Sequence, residues 1–106
     1  MNLNYEEGAK LLKALSDVNR LKIIDILSCG EKCACDILEN FEFTQPTLSH
    51  HMKILMNSGL VVCRKSGLWS HYSLNEEACQ SMVAFMSTIT MSKADCICVT
   101  GDKEAL

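Results

Sequence analysis

The fold of this chain is decided by residues 44–74, which read TQPTLSHHMKILMNSGLVVCRKSGLWSHYSL. The first half of this stretch has apolar residues at helical spacing, namely Leu48, Met52 and Leu55. Thr44 offers a side-chain oxygen for the helix N-cap, and Pro46 is tolerated because the N–H groups of the first turn have no helical partner. Gly59 suits the left-handed residue that follows a helix. These signals predict a helix from about residue 45 to residue 58.

The second half of the stretch predicts a β-hairpin. Residues 60–65 and 68–74 are strand-like, and the dipeptide Ser66-Gly67 between them is a turn signal. Apolar spacing also predicts helices over residues 5–15, between Asp17 and Gly30, over about 34–40, and over 76–91. The order of four helices, a hairpin and a fifth helix predicts a winged helix-turn-helix, a mainly α fold of the α+β type. The fourth helix is then expected to read DNA.

The same spacing predicts which side chains face the core. The predicted inward residues of the first, second and fifth helices are Ala9, Leu12 and Leu15; Leu21, Ile24 and Leu27; and Ala78, Met82, Phe85, Met86 and Ile89. His51 lies on the flank of the apolar stripe of the fourth helix, so we expect a packed, hydrogen-bonded histidine there. Isolated cysteines behave as small hydrophobic residues, so burial is expected for Cys29, Cys63 and Cys79.

The other side of the fourth helix is polar. It carries hydroxyl, amide, imidazole and ammonium groups that can bind phosphates or read base edges in a major groove: Gln45, Thr47, Ser49, His50 and Lys53. We expect Arg64 and Lys65, just before the hairpin turn, to hold backbone phosphates from the wing. No Asp or Glu occurs from Phe43 to Asn75, whereas the rest of the chain has seven basic and 13 acidic residues. This asymmetry favours double-stranded DNA as a partner.

Length and composition limit the classes of protein that fit. With 106 residues, 48% hydrophobic and 22% charged, the chain predicts one packed domain, residues 1–92, followed by a cysteine-containing tail, residues 93–106. A core of this size leaves little room for a deep pocket, so we do not expect an enzyme. The longest apolar run, residues 60–63, is far shorter than the ~20 residues that span a bilayer. The start of the chain does not resemble a signal peptide, so a cytoplasmic protein without a membrane partner is expected.

Seven cysteines are many for a chain of this length. Their odd number disfavours a secreted disulfide framework, and four of them form two Cys-x-Cys pairs, Cys33 with Cys35 and Cys96 with Cys98. Clustered thiols in a reducing compartment are typical of metal binding or redox chemistry. The residues alone leave open a four-thiolate site for Cd(II), Pb(II) or Zn(II) and a redox sensor that works by thiol bridging.

Four segments of the chain resemble the ArsR/SmtB family of metal-responsive repressors. They are LSDVNRL at 15–21, EKCACDIL at 31–38, TQPTLSHHM at 44–52 and GLWSHY at 67–72. The resemblance covers nearly the whole chain up to about Met91. It implies a homodimeric winged-helix repressor that occupies the operator of a resistance operon and leaves it when a toxic metal or metalloid binds. The first and last helices usually form the dimer interface in this family.

The CACD segment at 33–36 is similar to the motif of the arsenic and antimony branch of the family. This similarity implies that Cys33 and Cys35 bind As(III) or Sb(III) as the inducing ligand. Some members have a third cysteine where this chain has Leu38. Candidates for the missing ligand are Cys29 and the tail thiols Cys96 and Cys98, from the same or the partner subunit. Residues 76–91 contain no histidine, which argues against the zinc site that other members carry on the last helix.

The spacing of Cys33 and Cys35 suggests how a ligand acts. Residues two apart on a regular helix point roughly 200° apart, so shared binding of one ion is expected to bend or unwind the start of the third helix. That helix supports the recognition helix, and its distortion would misplace Gln45, Ser49 and His50. A dimer reads two half-sites ~34–36 Å apart, so a small rotation of each subunit would prevent simultaneous binding.

Overall fold

The computed structural model describes residues 2–98, which form five helices and three strands. The helices are α1 (Tyr5–Leu15), α2 (Val18–Leu27), α3 (Ala34–Leu38), α4 (Gln45–Ser58) and α5 (Glu76–Thr90). The strands are β1 (Lys32–Cys33), β2 (Val61–Ser66) and β3 (Trp69–Leu74). The predicted winged helix-turn-helix is confirmed, with α3 and α4 as its helix pair and the β2–β3 hairpin as its wing. The part of the predicted tail beyond residue 98 lies outside the described residues.

The wing hairpin belongs to a three-stranded antiparallel sheet with the order β1-β3-β2. In its register Cys33 of β1 lies opposite His71 of β3, and Arg64 of β2 lies opposite the same His71 from the other side. The sequence analysis did not predict β1, because a two-residue strand is too short to show a period. This strand places the first Cys-x-Cys pair directly beside the wing.

Local signals explain where the helices begin and end. Asn4 and Glu7 form a capping box at the start of α1, and the Asp17 carboxylate accepts the backbone N–H groups of Asn19 and Arg20 at the start of α2. Thr44 occupies the N-cap position of α4, as predicted, but its side chain makes no capping hydrogen bond. Gly59 follows α4 with a φ of 89°, the left-handed conformation predicted for it.

The core lies between α4, the sheet and the first three helices. Its largest fully buried side chains are Ile23, Ile37, Leu48, Met52, Leu55 and Leu60. The predicted face of α4 is therefore confirmed. In α1 the prediction is shifted within the apolar side, because the helix buries Gly8, Leu11 and Ala14 and leaves Ala9 exposed. In α2 Leu27 is buried and Ile24 packs against the core as predicted, but Leu21 is 53% exposed and Ile23 is fully buried, so the prediction for Leu21 is wrong. Helix α2 carries apolar residues on several sides, so spacing alone does not choose its buried side.

Helix α5 lies against α1 at a close approach. A Cβ atom on Gly8 would overlap the ring of Phe85, so only glycine fits there with this ring position. The Tyr5 ring meets Phe85 edge-on with the ring centroids 6.3 Å apart. The predicted inward residue Phe85 is buried, but Met86 and Ile89 are 36% and 40% exposed in the protomer. None of the helices within residues 2–98 has the length and apolar character required to cross a bilayer.

Candidate DNA-binding surface and thiol site

The polar face of α4 consists of the side chains predicted to contact DNA, and all of them are exposed: Gln45, Thr47, Ser49, His50 and Lys53. Gln45 Nε2 donates a hydrogen bond to Ser49 Oγ at 3.2 Å, one helical turn further along. This contact holds the amide at the N-terminal end of the helix, the end that meets base edges in helix-turn-helix proteins. The surface is polar, and its one formally charged side chain is cationic, which suits contact with a phosphate backbone.

A buried hydrogen-bond network supports the opposite side of α4. Arg20 Nε donates to the Ala14 carbonyl oxygen at 2.6 Å, and Arg20 Nη1 lies 3.3 Å from His51 Nδ1. Because arginine has only donors, Nδ1 of His51 is the acceptor and Nε2 carries the proton. His51 is 8% exposed, so the prediction of a packed, hydrogen-bonded histidine is confirmed. The network connects the end of α1, the start of α2 and the recognition helix.

The electrostatics of this network keep His51 neutral. Burial lowers the pKa of His51 below its ordinary value; the charge of Asp17 opposes this shift, and the charge of Arg20 adds to it. The backbone N–H of Arg20 lowers the pKa of the Asp17 carboxyl, so this N-cap remains ionised well into acid. A neutral imidazole beneath the recognition helix can accept a hydrogen bond from Arg20, whereas a positively charged imidazolium would repel the guanidinium.

On the wing, Arg64 and Lys65 are exposed, and Arg64 forms an ion pair with Glu31. Its Nη2 donates to Glu31 Oε1 at 2.8 Å and its Nε donates to Glu31 Oε2 at 3.2 Å. This two-point ion pair lowers the pKa of Glu31 and raises that of Arg64. Nothing in the local sequence predicts the pair, because 33 residues separate its members. One of the two predicted phosphate contacts on the wing is therefore held by the segment that carries the cysteines.

The thiol site, which we define as Cys33, Cys35 and Asp36, lies where β1 passes into α3. Within residues 2–98, the ligand atoms of His, Cys, Asp and Glu form one group close enough to hold an ion, and it is this one. Its two sulfurs and a carboxylate oxygen lie within 4.8 Å of one another. Two thiolates that each lie about 2.3 Å from a zinc-sized ion are at most about 4.6 Å apart, so small side-chain rotations suffice to bind.

The position of Cys33 corrects the expected unwinding of α3. Cys33 is extended, with φ −77° and ψ 159°, and it is the N-cap of α3 rather than a residue within the helix. Its Sγ accepts the Asp36 backbone N–H at 3.4 Å. The two cysteines therefore already point toward a common space, and the helix does not have to unwind for them to share an ion. A bound ligand would instead pull on the Cys33 sulfur that caps α3, and through it on β1, the strand that contains Cys33.

The surroundings of Cys35 disfavour its thiolate form. A hydrogen bond with Cys33 raises the pKa of the Cys35 thiol, and the negative charges of Cys33 and Asp36 act in the same direction. The donor set of two soft sulfurs and one hard oxygen fits a thiophilic ion that also accepts oxygen. Sequence reasoning quoted Asp36 as part of the motif but did not assign it as a ligand.

The remaining cysteines lie apart from the thiol site. Cys29 is exposed in the turn after α2, so its predicted burial is wrong, whereas Cys63 and Cys79 are partly buried against the core, in line with their prediction. The tail residues Cys96 and Cys98 are exposed, and Cys98 donates its backbone N–H to Cys96 Sγ at 3.3 Å.

Ile97, which stands between the tail residues Cys96 and Cys98, lines a cavity of about 440 Å³ together with Tyr5 and Phe85, on the side of the molecule formed by α1 and α5. A third ligand from Cys29 or from either tail thiol stays a prediction.

Three comparisons with known proteins agree on the class. The sequence profile of the bacterial regulatory proteins of the arsR family matches residues 17–62, which include α2, the thiol site and α4. The chain is 48% identical over 96 residues to the arsenical resistance operon repressor of Staphylococcus aureus, covering 91% of this chain and 92% of the relative. It is 43% identical over 81 residues to the cadmium resistance transcriptional regulatory protein CadC homolog of the same species, covering 76% and 67%.

A solved structure shares the fold over most of its length. The homodimeric winged helix-turn-helix DNA-binding domain from Mycobacterium bovis, described as a possible ArsR-family regulator, superposes with a TM-score of 0.67 at 26% identity. The match covers 78% of each chain. The protein is therefore a winged helix-turn-helix transcriptional regulator. It belongs to the ArsR family of bacterial regulatory proteins, as the resemblance of its motifs predicted.

Proposed function

We propose that this chain represses an arsenic-resistance operon and leaves the operator when As(III) or Sb(III) binds Cys33 and Cys35. The observation that carries the proposal is the thiol site, where two sulfurs and a carboxylate oxygen lie within 4.8 Å of one another at the base of the helix-turn-helix. The identity of 48% with an arsenical resistance operon repressor supports the choice of ligand. A regulator of this kind acts on DNA in the cytoplasm, and we assign no catalytic step to it.

Operator binding is assigned to the polar face of α4 and to the wing. Ser49 and His50 lie in the exposed middle of that face, where they can reach base edges, while Lys53 and Lys65 supply charge for phosphates. No acidic residue occurs from Phe43 to Asn75, so α4 and the wing themselves carry no negative side chain that would repel DNA, although the whole chain has a net charge of −3.

We assign a homodimer whose interface is formed by α1 and α5. The exposed apolar side chains on this side are Tyr5, Val83, Met86, Ile89 and Met91. Exposed apolar side chains on these two helices and just after α5 suit contact with a second copy of the chain. The related domain from Mycobacterium bovis is described as homodimeric, which supports the same assembly here. Two copies of α4 would then face two half-sites of a palindromic operator.

The reaction with the ligand is a condensation. Arsenous acid, As(OH)₃, reacts with the thiols of Cys33 and Cys35; two As–S bonds form, two As–OH bonds break and two water molecules leave, without a change of oxidation state. The third position on arsenic keeps its hydroxyl group or exchanges it for an oxygen of Asp36. A third thiol, from Cys29 or from the tail, is the alternative that the sequence analysis left open.

The effect on DNA binding follows from the two structural duties of Cys33. Its sulfur caps α3, and its backbone pairs with β3 as part of β1. When the Cys33 sulfur turns toward a shared arsenic atom, it leaves the position in which it accepts the Asp36 N–H, so the cap weakens and the β1–α3 junction shifts. Helix α3 packs against α4, so the shift reaches the recognition helix. A coupling of ~1–3 kcal/mol is enough to change operator affinity 5- to 150-fold.

Cadmium, lead or zinc is the second candidate for the inducing ligand. The identity of 43% with a cadmium resistance regulator favours it, and so does the presence of a second Cys-x-Cys pair in the tail. Such an ion would take Cys33 and Cys35 together with Cys96 and Cys98, from the same or the partner subunit, as a four-thiolate site. Disulfide formation between neighbouring thiols is a third way to occupy the same sulfurs.

The test is fluorescence anisotropy with a labelled duplex that the parent protein selects from random sequence. Arsenite, antimonite, cadmium, zinc and hydrogen peroxide are added in turn. We expect arsenite and antimonite to release the parent, whereas Cys33→Ser and Cys35→Ser bind the duplex but are not released. Cys63→Ser is the matched control, since this thiol lies on β2 and belongs to none of the proposed ligand sets, and it should respond like the parent. Full release of both serine variants by arsenite would refute the assigned site, and release by cadmium or peroxide alone would replace the ligand.

A further inference from the structure

We propose that Glu31 is a positioning residue for DNA binding: its carboxylate orients the Arg64 guanidinium toward operator phosphates and ties that contact to the thiol site. The inference rests on the proposed function, because it concerns how an operator contact responds to a ligand at Cys33 and Cys35. It adds to that function a residue that does not itself contact the DNA or the ligand.

The geometry of the ion pair leaves donors available. Glu31 accepts from Nε and Nη2 of Arg64 at 3.2 and 2.8 Å, which is the two-point contact that a planar guanidinium and a carboxylate prefer. Arginine has five N–H donors in a fixed plane, so the Nη1 group and the second Nη2 hydrogen remain free. They point away from the carboxylate. An arginine fixed in this way presents a second edge to a phosphate with less loss of side-chain freedom on binding.

The pair contributes orientation rather than stability. The side chains of Arg64 and Glu31 are 57% and 38% exposed, and an ion pair between exposed groups adds little to the free energy of folding. Variants of either residue should therefore fold like the parent. This property makes the pair suitable for mutational tests of DNA binding.

The path from Glu31 to the thiol site is short and lies within the backbone. Glu31 precedes β1, whose second residue is the ligand Cys33. Cys33 pairs with His71 of β3, and His71 pairs on its other side with Arg64. The ion pair and the sheet register thus join the same two segments at neighbouring points. A two-residue strand has few backbone hydrogen bonds, so a ligand that shifts Cys33 also shifts Glu31 at little cost, and Arg64 loses its orientation.

Two other roles for Glu31 predict different outcomes. If Glu31 masks Arg64 from DNA, its removal strengthens operator binding only while Arg64 is present. If Glu31 acts only through its negative charge, its removal strengthens binding to the same extent with or without Arg64. The positioning role predicts weaker binding without Glu31, and only while Arg64 is present. A double-mutant cycle separates the three.

The experiment measures the affinity of four proteins for the selected duplex: the parent, Glu31→Gln, Arg64→Gln and the double variant. We expect Glu31→Gln to weaken binding about 10-fold, because each of two subunits loses one oriented phosphate contact, and to lower the salt dependence toward that of Arg64→Gln. In the Arg64→Gln background the same change should have no weakening effect. Glu42→Gln is the matched control for the loss of an exposed acid before α4. Stronger or unchanged binding by Glu31→Gln while Arg64 is present, or equal weakening in both backgrounds, would overturn the proposal.

The second measurement concerns the response to arsenite. We expect Glu31→Gln to bind arsenite like the parent, as judged by protection of its thiols from a thiol reagent. Its release from the duplex should be smaller, since the Arg64 contact is already lost. An unchanged ratio of affinities with and without arsenite would refute the link between the two sites. If arsenite fails to protect Cys33 and Cys35 in the parent, the proposed function fails, and the cycle without arsenite still decides the role of Glu31.

Discussion

The recognition helix and the thiol segment, residues 31–38, are neighbours in the chain but are held in different ways. Helix α4 has 14 residues and buries Leu48, His51, Met52 and Leu55. The thiol segment consists of a two-residue strand and a five-residue helix, and its fully buried side chain is Ile37. The surface that we propose to read DNA is anchored in the core. The segment that we propose to respond to a ligand is attached by a few bonds, as expected for an element of low local stability.

The largest expected effect concerns the anchoring of α4. Leu55→Ala should lower the free energy of unfolding by about 2–5 kcal/mol, because it removes a fully buried side chain and leaves a cavity. Leu21→Ala is the matched control, since Leu21 is 53% exposed, and its effect should stay within about 0.5 kcal/mol. Urea denaturation followed by circular dichroism measures both. Equal losses in the two variants would contradict the assignment of the core face of α2.

A smaller effect is expected at the helix cap that supports the network beneath α4. Asp17→Ala should cost about 1 kcal/mol, because the carboxylate accepts two backbone N–H groups at the start of α2. The pKa of Asp17 is lowered in the folded chain, so its contribution is complete above its ordinary value of 3.8 and is lost as the pH falls below it. Asp25→Ala, on the exposed side of the same helix, is the control. A cost at Asp25 as large as at Asp17 would show that the cap is not the cause.

The pH dependence of stability tests the neutral state of His51. Its pKa is lowered in the folded chain by burial, with Arg20 and His50 adding to the shift and Asp17 opposing it. The unfolded chain therefore takes up a proton first, and stability should fall as the pH drops below about 6.5, until His51 protonates in the folded state as well. Thermal unfolding should be measured between pH 7.5 and pH 5, a range that brackets the ordinary pKa of histidine. The unfolding temperature should fall with the pH across this range, and the slope of that fall is the quantity to compare.

Two histidine variants decide whether the slope belongs to the buried ring. His51→Gln should flatten it, and His50→Gln, which changes the exposed neighbour on the same helix, should reduce it only in part, because His50 is the smallest contributor to the lowered pKa of His51. The opposite pattern would place the titrating group on the DNA-binding face rather than beneath it.

The smallest effect on stability is expected in the thiol segment. Cys33→Ser should change the free energy of unfolding by less than about 0.5 kcal/mol, because a serine hydroxyl is a good helix N-cap and can accept the Asp36 N–H in place of the sulfur. The same variant should lose its response to arsenite. Urea denaturation of Cys33→Ser and of the control Cys63→Ser gives the comparison. A loss of several kcal/mol in Cys33→Ser would mean that this segment is anchored as firmly as α4.

Much of the fold could be predicted, because its signals are local. The hairpin after α4, the left-handed Gly59 and the apolar stripe of α4 each depend on residues within a few positions, and each prediction is confirmed. The hairpin turn itself lies one residue later than predicted, at Gly67-Leu68, because Ser66 still pairs with Trp69. The buried face of α2 could not be predicted, because this helix is apolar on several sides. The neighbours that cover one side decide between Leu21 and Ile23.

The candidate site likewise has some features that the sequence predicts and others that it does not. The exposed residues of α4 follow from the position of its apolar stripe, and the motif at 33–36 identified Cys33 and Cys35. The inclusion of Asp36, the exposure of Cys29 and the pairing of Arg64 with Glu31 were not predicted. Each depends on how the chain bends between elements rather than on which residues they contain.

The sequence by itself determined the order of the elements, the polar surface of the recognition helix and the thiol chemistry, because periodicity, turn residues and side-chain type act over short distances along the chain. Only the tertiary structure decided that Cys33 is both a strand residue and a helix cap, and that Glu31 reaches Arg64 on the wing. The physical reason is that β1 is held by its partner β3, which lies almost 40 residues further along the chain. No local pattern records a contact of that range.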